Sequence, residues 1–195
     1  MRYFLVSLGV VLLIIFGIVI INSGSSTKTA TTGHKVVKLS DYATKDDAFV
    51  RYQVQGPINA LENHVSMSIS ISSTTRTLDV FEGYQNTLLT SKTYANDDNS
   101  YSQFLAALNH AGFLKERSVA KTVDPVAVCP TSNRTHYYLV EAGKNVTDLW
   151  STTCLSGSFA GSTTLTGSLF KTQIPDYDTI MSSASSSTAK TSVIR

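Results

Sequence analysis

Charged side chains are scarce in this sequence, and no standard motif for catalysis or cofactor binding occurs in it. Asp, Glu, Lys and Arg make up 15% of the 195 residues, against about 25% in ordinary soluble proteins. The sequence contains no P-loop, no dinucleotide-binding glycine fingerprint and no H-E-x-x-H motif. We therefore assign no catalytic residue and predict no cofactor.

Basic residues are too few in the central part of the chain for nucleic-acid binding. All 14 acidic residues lie between Asp41 and Asp178. Ten basic residues lie within the same limits, so this part of the chain has a net charge of −4. The other basic residues lie in the flanks, so the whole chain carries +2. Because proteins bind nucleic acids through a concentrated positive surface, this distribution argues against a nucleic-acid partner.

Cysteine is also rare, with only Cys129 and Cys154 in the chain. Their spacing is not the C-x-x-C of thiol redox proteins, and together with His136 they match no zinc-ligand pattern. We predict a structural disulfide between them and no metal site, with two buried thiols as the alternative. A disulfide is typical of compartments outside the cytoplasm.

Residues 3–21 contain no charged side chain. As a helix, this segment would be about 28 Å long, close to the thickness of the hydrocarbon core of a bilayer. A helix satisfies every backbone N–H internally in lipid, so we predict a transmembrane helix with the bilayer as its partner. The alternative is a cleaved signal peptide, although its apolar region is usually only about 7–15 residues long.

The orientation of this anchor is predicted from two features. Only two residues precede the apolar segment, as in a signal anchor, and the cysteine pair suits an oxidising compartment. Three lysines that follow the segment, Lys28, Lys35 and Lys38, oppose this orientation under the positive-inside rule. We predict a single-pass protein of the cell membrane whose C-terminal domain lies outside the cytoplasm.

Composition divides the chain into four parts. Residues 1–21 form the anchor, and residues 22–38 are rich in Ser, Thr and Gly, which predicts a flexible linker. Residues 39–181 have the size of a single domain. Residues 182–195 are of low complexity, which predicts a disordered tail.

Alternating apolar and polar residues predict strands in the first half of the domain. Asp47–Gln55 and His64–Ser72 show this alternation most clearly. Thr77–Glu82 and Thr87–Tyr94 follow, each after a run of turn residues. The last three of these segments predict an antiparallel meander.

The pattern then changes to helical spacing. Apolar residues recur on one helical face from Tyr101 to Ala111, while Ser100 and Gln103 have the form of a capping box. Gly112 suits the position just after the last helical turn, where the backbone commonly adopts the left-handed conformation. We predict that this helix packs on one face of the sheet.

Two further strands are predicted near the cysteines. Arg134–Ala142 and Asn145–Thr153 flank Gly143-Lys144, which indicates a type II′ hairpin with Ala142 opposite Asn145.

A second helix is predicted over Ser162–Gln173, with Leu165 and Leu169 on one face and Pro175 ending it. The predicted class is therefore α+β: an N-terminal transmembrane helix, followed by a small domain of antiparallel meander and hairpin strands with one or two packed helices.

Aromatic residues offer a possible binding surface. Tyr84 lies in a predicted turn, and Tyr137, Tyr138 and Trp150 lie on the predicted hairpin. Aromatic rings supply contact area at low entropic cost, and carbohydrate and peptide sites use them for that reason. Burial in the core is the alternative for each of them.

Several short runs of the sequence resemble a family of uncharacterised single-pass envelope proteins of the Saccharibacteria, bacteria that live attached to other bacteria. The resemblance covers about residues 1–178 and implies a bacterial envelope, but the family has no assigned activity to carry over. The runs that carry it are GYQNT (Gly83–Thr87), FLAALNHAGF (Phe104–Phe113), CP (Cys129-Pro130), LWSTTC (Leu149–Cys154) and QIPDY (Gln173–Tyr177).

These observations favour a membrane-anchored binding or structural module on the cell surface, with an unidentified partner in the envelope or on a host surface. The alternatives are an envelope hydrolase and a subunit of an export or pilus-like assembly.

Overall fold

The computed structural model of the protein describes residues 37–119, 123–154 and 157–192. The predicted membrane helix at residues 3–21 lies outside this part of the chain, as does the predicted linker up to residue 36. Within the described part, no helix is both long enough and apolar enough to cross a bilayer. The compact unit to which these residues belong begins at Val37.

One antiparallel sheet of six strands, in the order β4-β3-β2-β1-β5-β6, organises the domain. Strands β2, β3 and β4 form the predicted meander, and β1 extends it by one strand. The last two strands form the predicted hairpin. The two parts join through β1 and β5, a pairing that the sequence did not predict. The strands are β1 (Ala48–Gln55), β2 (Val65–Ser72), β3 (Thr75–Glu82), β4 (Thr87–Ala95), β5 (Arg134–Glu141) and β6 (Lys144–Thr152).

The turn between β5 and β6 differs from the predicted type II′ turn. Ala142 and Gly143 are its central residues, with φ angles of 49° and 72°, and Glu141 pairs with Lys144. Two successive positive φ angles are the mark of a type I′ turn, whose twist matches that of the flanking strands. The turn therefore lies one residue earlier than predicted, and Asn145 does not face Ala142.

Helices pack against one face of the sheet and share its apolar core. This arrangement confirms the predicted α+β class for the domain. The helices are α1 (Asp98–Ala111), α2 (Pro125–Val128), α3 (Thr163–Thr172) and α4 (Tyr177–Ser192), and two short 3-10 turns cover Leu39–Tyr42 and Leu61–Asn63.

Helix α1 begins before the predicted capping residue. Asp97 is its N-cap, and the Asp97 carboxylate accepts hydrogen bonds from the backbone N of Ser100 at 2.9 Å and from its hydroxyl at 2.8 Å. The hydrogen bond from the Ser100 backbone lowers the pKa of Asp97. The helix ends as predicted, with Gly112 in the left-handed region at φ 77°.

The core forms where the inward residues of the strands meet α1. Phe104, Leu105 and Leu108 lie on the buried face of that helix, as predicted, and none is more than 4% exposed. Phe170 from α3 packs edge-on against Phe104, with the ring centroids 5.2 Å apart. The fully buried strand residues beneath them include Val50, Ile69, Leu78 and Leu139.

Helix α3 is present, but its two leucines do not form the centre of its buried face. Leu169 is partly buried and packs against the core, whereas Leu165 is 47% exposed. The fully buried residues of the helix are Thr166, Gly167 and Phe170. The Phe170 ring stacks on Tyr52 of β1 at 5.4 Å. Because an aromatic ring buries more area than a leucine side chain, Phe170 sets the rotation of the helix.

Helix α4 extends to Ser192, into the segment predicted from residue 182 onward as a disordered tail. Ile180 and Ala184, one helical turn apart, are 8% and 5% exposed, and Met181 packs against the same core. Tertiary packing of a narrow apolar stripe is enough to hold a helix whose other residues are mainly serine and threonine.

Candidate functional site

A cleft of about 1450 Å³ lies between the sheet and helices α3 and α4. Tyr52 of β1, Met67 of β2, Tyr137 of β5 and Ser151 of β6 contribute to its sheet side. Its volume exceeds the roughly 300–1,000 Å³ of typical small-molecule pockets. The cleft therefore has room for a ligand larger than an ordinary metabolite.

Two tyrosine hydroxyls line the sheet side of the cleft. Burial raises the pKa of Tyr137 to about 12, and its hydroxyl shares a buried hydrogen bond of 2.9 Å with the hydroxyl of Ser151. Burial also raises the pKa of Tyr52, against the lowering effect of a hydrogen bond with Thr135. Both phenols therefore keep their protons at neutral pH and act as hydrogen-bonding groups.

Helix α3 forms one wall of the cleft and approaches the sheet closely at Gly167. A Cβ atom at that position would lie 3.0 Å from the Tyr52 hydroxyl, tighter than ordinary van der Waals contact. Thr164, Ser168 and Lys171 also line the cleft, because residues three and four apart share one face of a helix. With Thr163 and Thr172, which also line the cleft, this wall presents four hydroxyl side chains and one ammonium group.

Tyr177, at the start of α4, forms part of the opposite wall. Its hydroxyl donates a hydrogen bond to the sulphur of Met67 at 3.3 Å, and the ammonium of Lys171 lies 5.4 Å from its ring centroid. Burial raises the pKa of Tyr177 to about 12. Next to it, Asp176 accepts a hydrogen bond from the Tyr94 hydroxyl at 3.3 Å. The wall is therefore fixed to β2 and β4 by side-chain contacts.

Uncharged polar residues are the most numerous residues in the lining of the cleft. Most of its described lining residues are Ser, Thr, Tyr or Asn, and the charged ones are Lys171, Asp176 and Asp178. Hydroxyl and amide groups donate and accept hydrogen bonds without carrying charge. The cleft thus matches a ligand that is rich in hydroxyl or amide groups.

The predicted disulfide lies near one end of this cleft. The Cα atoms of Cys129 and Cys154 are 5.9 Å apart, and the two sulphurs are bonded. The backbone N of Ile58 donates to the carbonyl of Pro130 at 2.6 Å, which attaches the same segment to the loop after β1. Asn133 and Thr153, close to the two cysteines in the chain, line the cleft. The disulfide therefore fixes the cleft wall at that end.

The four aromatic residues selected from the sequence do not share one surface. Tyr137 is 1% exposed on the helix side of the sheet, whereas Tyr138, the next residue of β5, lies on the opposite face. Trp150 is 9% exposed, and Tyr84 is 46% exposed, with its ring 4.1 Å from that of His64. Of the four, Tyr137 alone lines the cleft.

Tyr138 belongs instead to a polar cluster on the face away from the helices. Its ring stacks on His136 at 5.7 Å, and burial raises its pKa to about 12. His136 Nδ1 lies 3.1 Å from a carboxylate oxygen of Asp148, and Arg51 Nε donates to the Ser70 hydroxyl at 3.3 Å. Among the described residues, no group of three His, Cys, Asp or Glu side chains could hold a metal ion.

Sequence reasoning missed the hydroxyls that line the sheet side of the cleft. Thr135 and Ser151 occupy inward positions of β5 and β6, in phase with Tyr137, where apolar residues are the rule. Their polarity at positions that the strand pattern places inward was the one signal in the sequence for these hydroxyls. Their proximity depends on strand pairing, which the sequence alone did not establish.

Comparison with family models and with curated proteins adds no precedent for this site. Neither the family models nor the curated proteins compared with this chain match it. The function has to be argued from the cleft and its lining.

Proposed function

We propose that the protein is a membrane-anchored binding module on the cell surface and that the cleft is its ligand site. The observation that carries this proposal is the cleft of about 1450 Å³ with its mainly uncharged polar lining. The strands fix the positions of the tyrosine hydroxyls, while α3 and α4 form the walls. Preformed concave sites of this kind are the usual location of ligand binding.

The anchor and the location outside the cytoplasm belong to the same proposal. The uncharged segment at residues 3–21 is long enough to span a bilayer, and the bond between Cys129 and Cys154 suits an oxidising compartment. A tether raises the effective concentration of the module near envelope or host-surface partners, so that modest intrinsic affinity is sufficient.

Binding fits the lining of the cleft better than hydrolysis does. Tyr137 and Tyr177 have pKa values raised to about 12 by burial, so they do not act as bases at neutral pH. A hydrolase needs a nucleophile and a base held together at the substrate. The hydroxyls of this cleft are instead arranged as hydrogen-bonding groups over a large surface.

Site-specific photo-crosslinking in intact cells tests the proposal. A photoreactive amino acid is placed at Ser168, which lines the cleft, or at Leu165, which lies on α3 and is 47% exposed but does not line the cleft. The full-length chain is used, and adducts are identified by mass spectrometry. We expect a discrete adduct with an envelope or host-surface molecule from position 168 and none from position 165.

Equal adduct patterns from the two positions, or no adduct from position 168, would contradict the cleft as the ligand site. Proteolysis of a C-terminal tag in intact cells gives a separate test of the orientation. The tag should be cleaved without cell lysis, and full protection of the tag would contradict a domain outside the cytoplasm.

A further inference from the structure

Arg134, at the start of β5, is a buried cation with long hydrogen bonds. The residue is 3% exposed. Its Nε donates to Oε1 of Gln55 at 3.4 Å, and its Nη2 donates to the carbonyl of Gly56 at 3.3 Å, both longer than the usual distance of about 2.9–3.0 Å. Its Nη1 is buried and has no hydrogen-bond partner among the described residues.

No side-chain carboxylate of the chain neutralises this arginine. All 14 Asp and Glu residues lie between Asp41 and Asp178, and each of them falls within the described residues. The ion pairs found there are Lys45–Glu141 and His136–Asp148. Because arginine keeps its proton in proteins and an unpaired buried charge is costly, the missing partner points to an anion from outside the chain.

The Ser66 hydroxyl is a second buried polar group without a hydrogen-bond partner among the described residues. Ser66 lies in the same row of cross-strand neighbours as Arg134. Gln55 of β1 pairs with Arg134 on one side and with Ser66 of β2 on the other, so the three side chains project from one face. Ser66 is 4% exposed. Because both hydrogen bonds of the guanidinium run to Gln55 and Gly56, Arg134 extends toward β1 and thus toward Ser66.

This row lies on the face of the sheet away from the helices. Arg134 precedes Thr135 in β5, and Thr135 and Tyr137 face the cleft, so the Arg134 side chain projects to the opposite side. Gly56, whose carbonyl accepts from Arg134, and Ser66 contribute to the cleft lining, whereas Arg134 and Gln55 are not among its described lining residues. The row is therefore distinct from the cleft.

We infer that Arg134, Gln55 and Ser66 form an anion-binding subsite, distinct from the cleft, for a carboxylate or phosphate group. The guanidinium fork matches both groups in geometry and charge. The Gln55 amide and the Ser66 hydroxyl supply further donors. Anion binding at Arg134 does not rest on the proposed function.

Thermal unfolding of the full-length protein in detergent micelles tests the subsite, with inorganic phosphate and acetate as probes at millimolar concentration and constant ionic strength. An anion that binds only the folded state raises Tm in a saturable way. We expect such a rise for the wild type with at least one probe, and the effective probe indicates whether phosphate or carboxylate is preferred. R117M, the same change at an exposed arginine, should behave like the wild type.

The variant R134M removes the charge and keeps an unbranched side chain. The Tm of R134M should not rise with either probe. Without a probe, its Tm should be no lower than that of the wild type, because an unpaired buried charge has been removed. If R134M does not fold, R134K decides the question, since lysine keeps the charge but loses the fork. If R134K needs about ten times more probe for the same rise in Tm, the subsite is supported. An unchanged dependence of Tm on the probe would overturn it.

The inference is also overturned if the wild type responds to neither probe, or if R134M responds as the wild type does. These outcomes are separate from the crosslinking test at Ser168. Failure of that test together with a saturable response lost in R134M would remove the proposed function and leave the anion site in place.

Discussion

Tyr101 and Tyr137 are both buried phenols, but their hydroxyls have different surroundings. The Tyr137 hydroxyl shares a hydrogen bond of 2.9 Å with Ser151. The Tyr101 hydroxyl has no hydrogen-bond partner within the described residues, and burial raises the pKa of Tyr101. Because leaving a buried polar group unpaired costs free energy, the two hydroxyls contribute to stability in opposite directions.

Tyr137→Phe should therefore lower the free energy of unfolding by about 1–3 kcal/mol, since it leaves the Ser151 hydroxyl buried without its partner. Tyr101→Phe removes a hydroxyl that forms no such bond, so it should cost less or even stabilise the protein. Urea unfolding of both variants measures the difference. Equal costs for the two changes would show that this description of the hydroxyls is wrong.

At the scale of elements, α1 is the best test of the core. Leu108 is 0% exposed on its buried face. Leu108→Ala should cost about 2–5 kcal/mol of unfolding free energy, because it removes apolar contacts and leaves a cavity. Gln103→Ala, at an exposed position of the same helix, is the control and should change stability little. A small effect at Leu108 would contradict the packing of α1 on the sheet.

The turn between β5 and β6 offers a stabilising change. Ala142 has a φ of 49°, where a residue with a Cβ atom is strained unless its side chain tolerates the left-handed region, as that of asparagine does. Ala142→Asn should stabilise the protein by about 1 kcal/mol, and Ala142→Val should destabilise it. A loss of stability in the Asn variant, measured by thermal unfolding, would argue against the type I′ turn.

The strands of the meander and helix α1 could be predicted because their signals are local. Periods of two and of about 3.6 residues mark which side chains face inward, whatever the rest of the chain does. The insertion of β5 beside β1, the rotation of α3 around Phe170 and the helical structure of α4 depend on contacts between distant segments. Single-sequence patterns do not encode such contacts directly.

At the scale of the whole molecule, the cleft is a consequence of strand order. Because β5 lies beside β1, Tyr52 and Tyr137 become direct cross-strand partners, and α3 and α4 then enclose the space above them. The sequence indicated aromatic residues as binding groups, but it did not show which of them would meet. It marked Tyr137 as a residue of interest and gave no sign of Tyr52 or Arg134.

The central claim is that a molecule from the cell envelope or a host surface occupies this cleft. Native mass spectrometry of the full-length protein, extracted from its own envelope in a mild detergent, tests it most directly. Ser168→Trp places a large side chain in the cleft, and Leu165→Trp makes the same change at a position of α3 outside the cleft lining.

We predict an additional bound mass on the wild type and on Leu165→Trp, and its loss from Ser168→Trp, because the indole fills space that the ligand needs. The account would be contradicted if none of the three proteins carried a bound molecule, or if Ser168→Trp retained it as fully as the wild type.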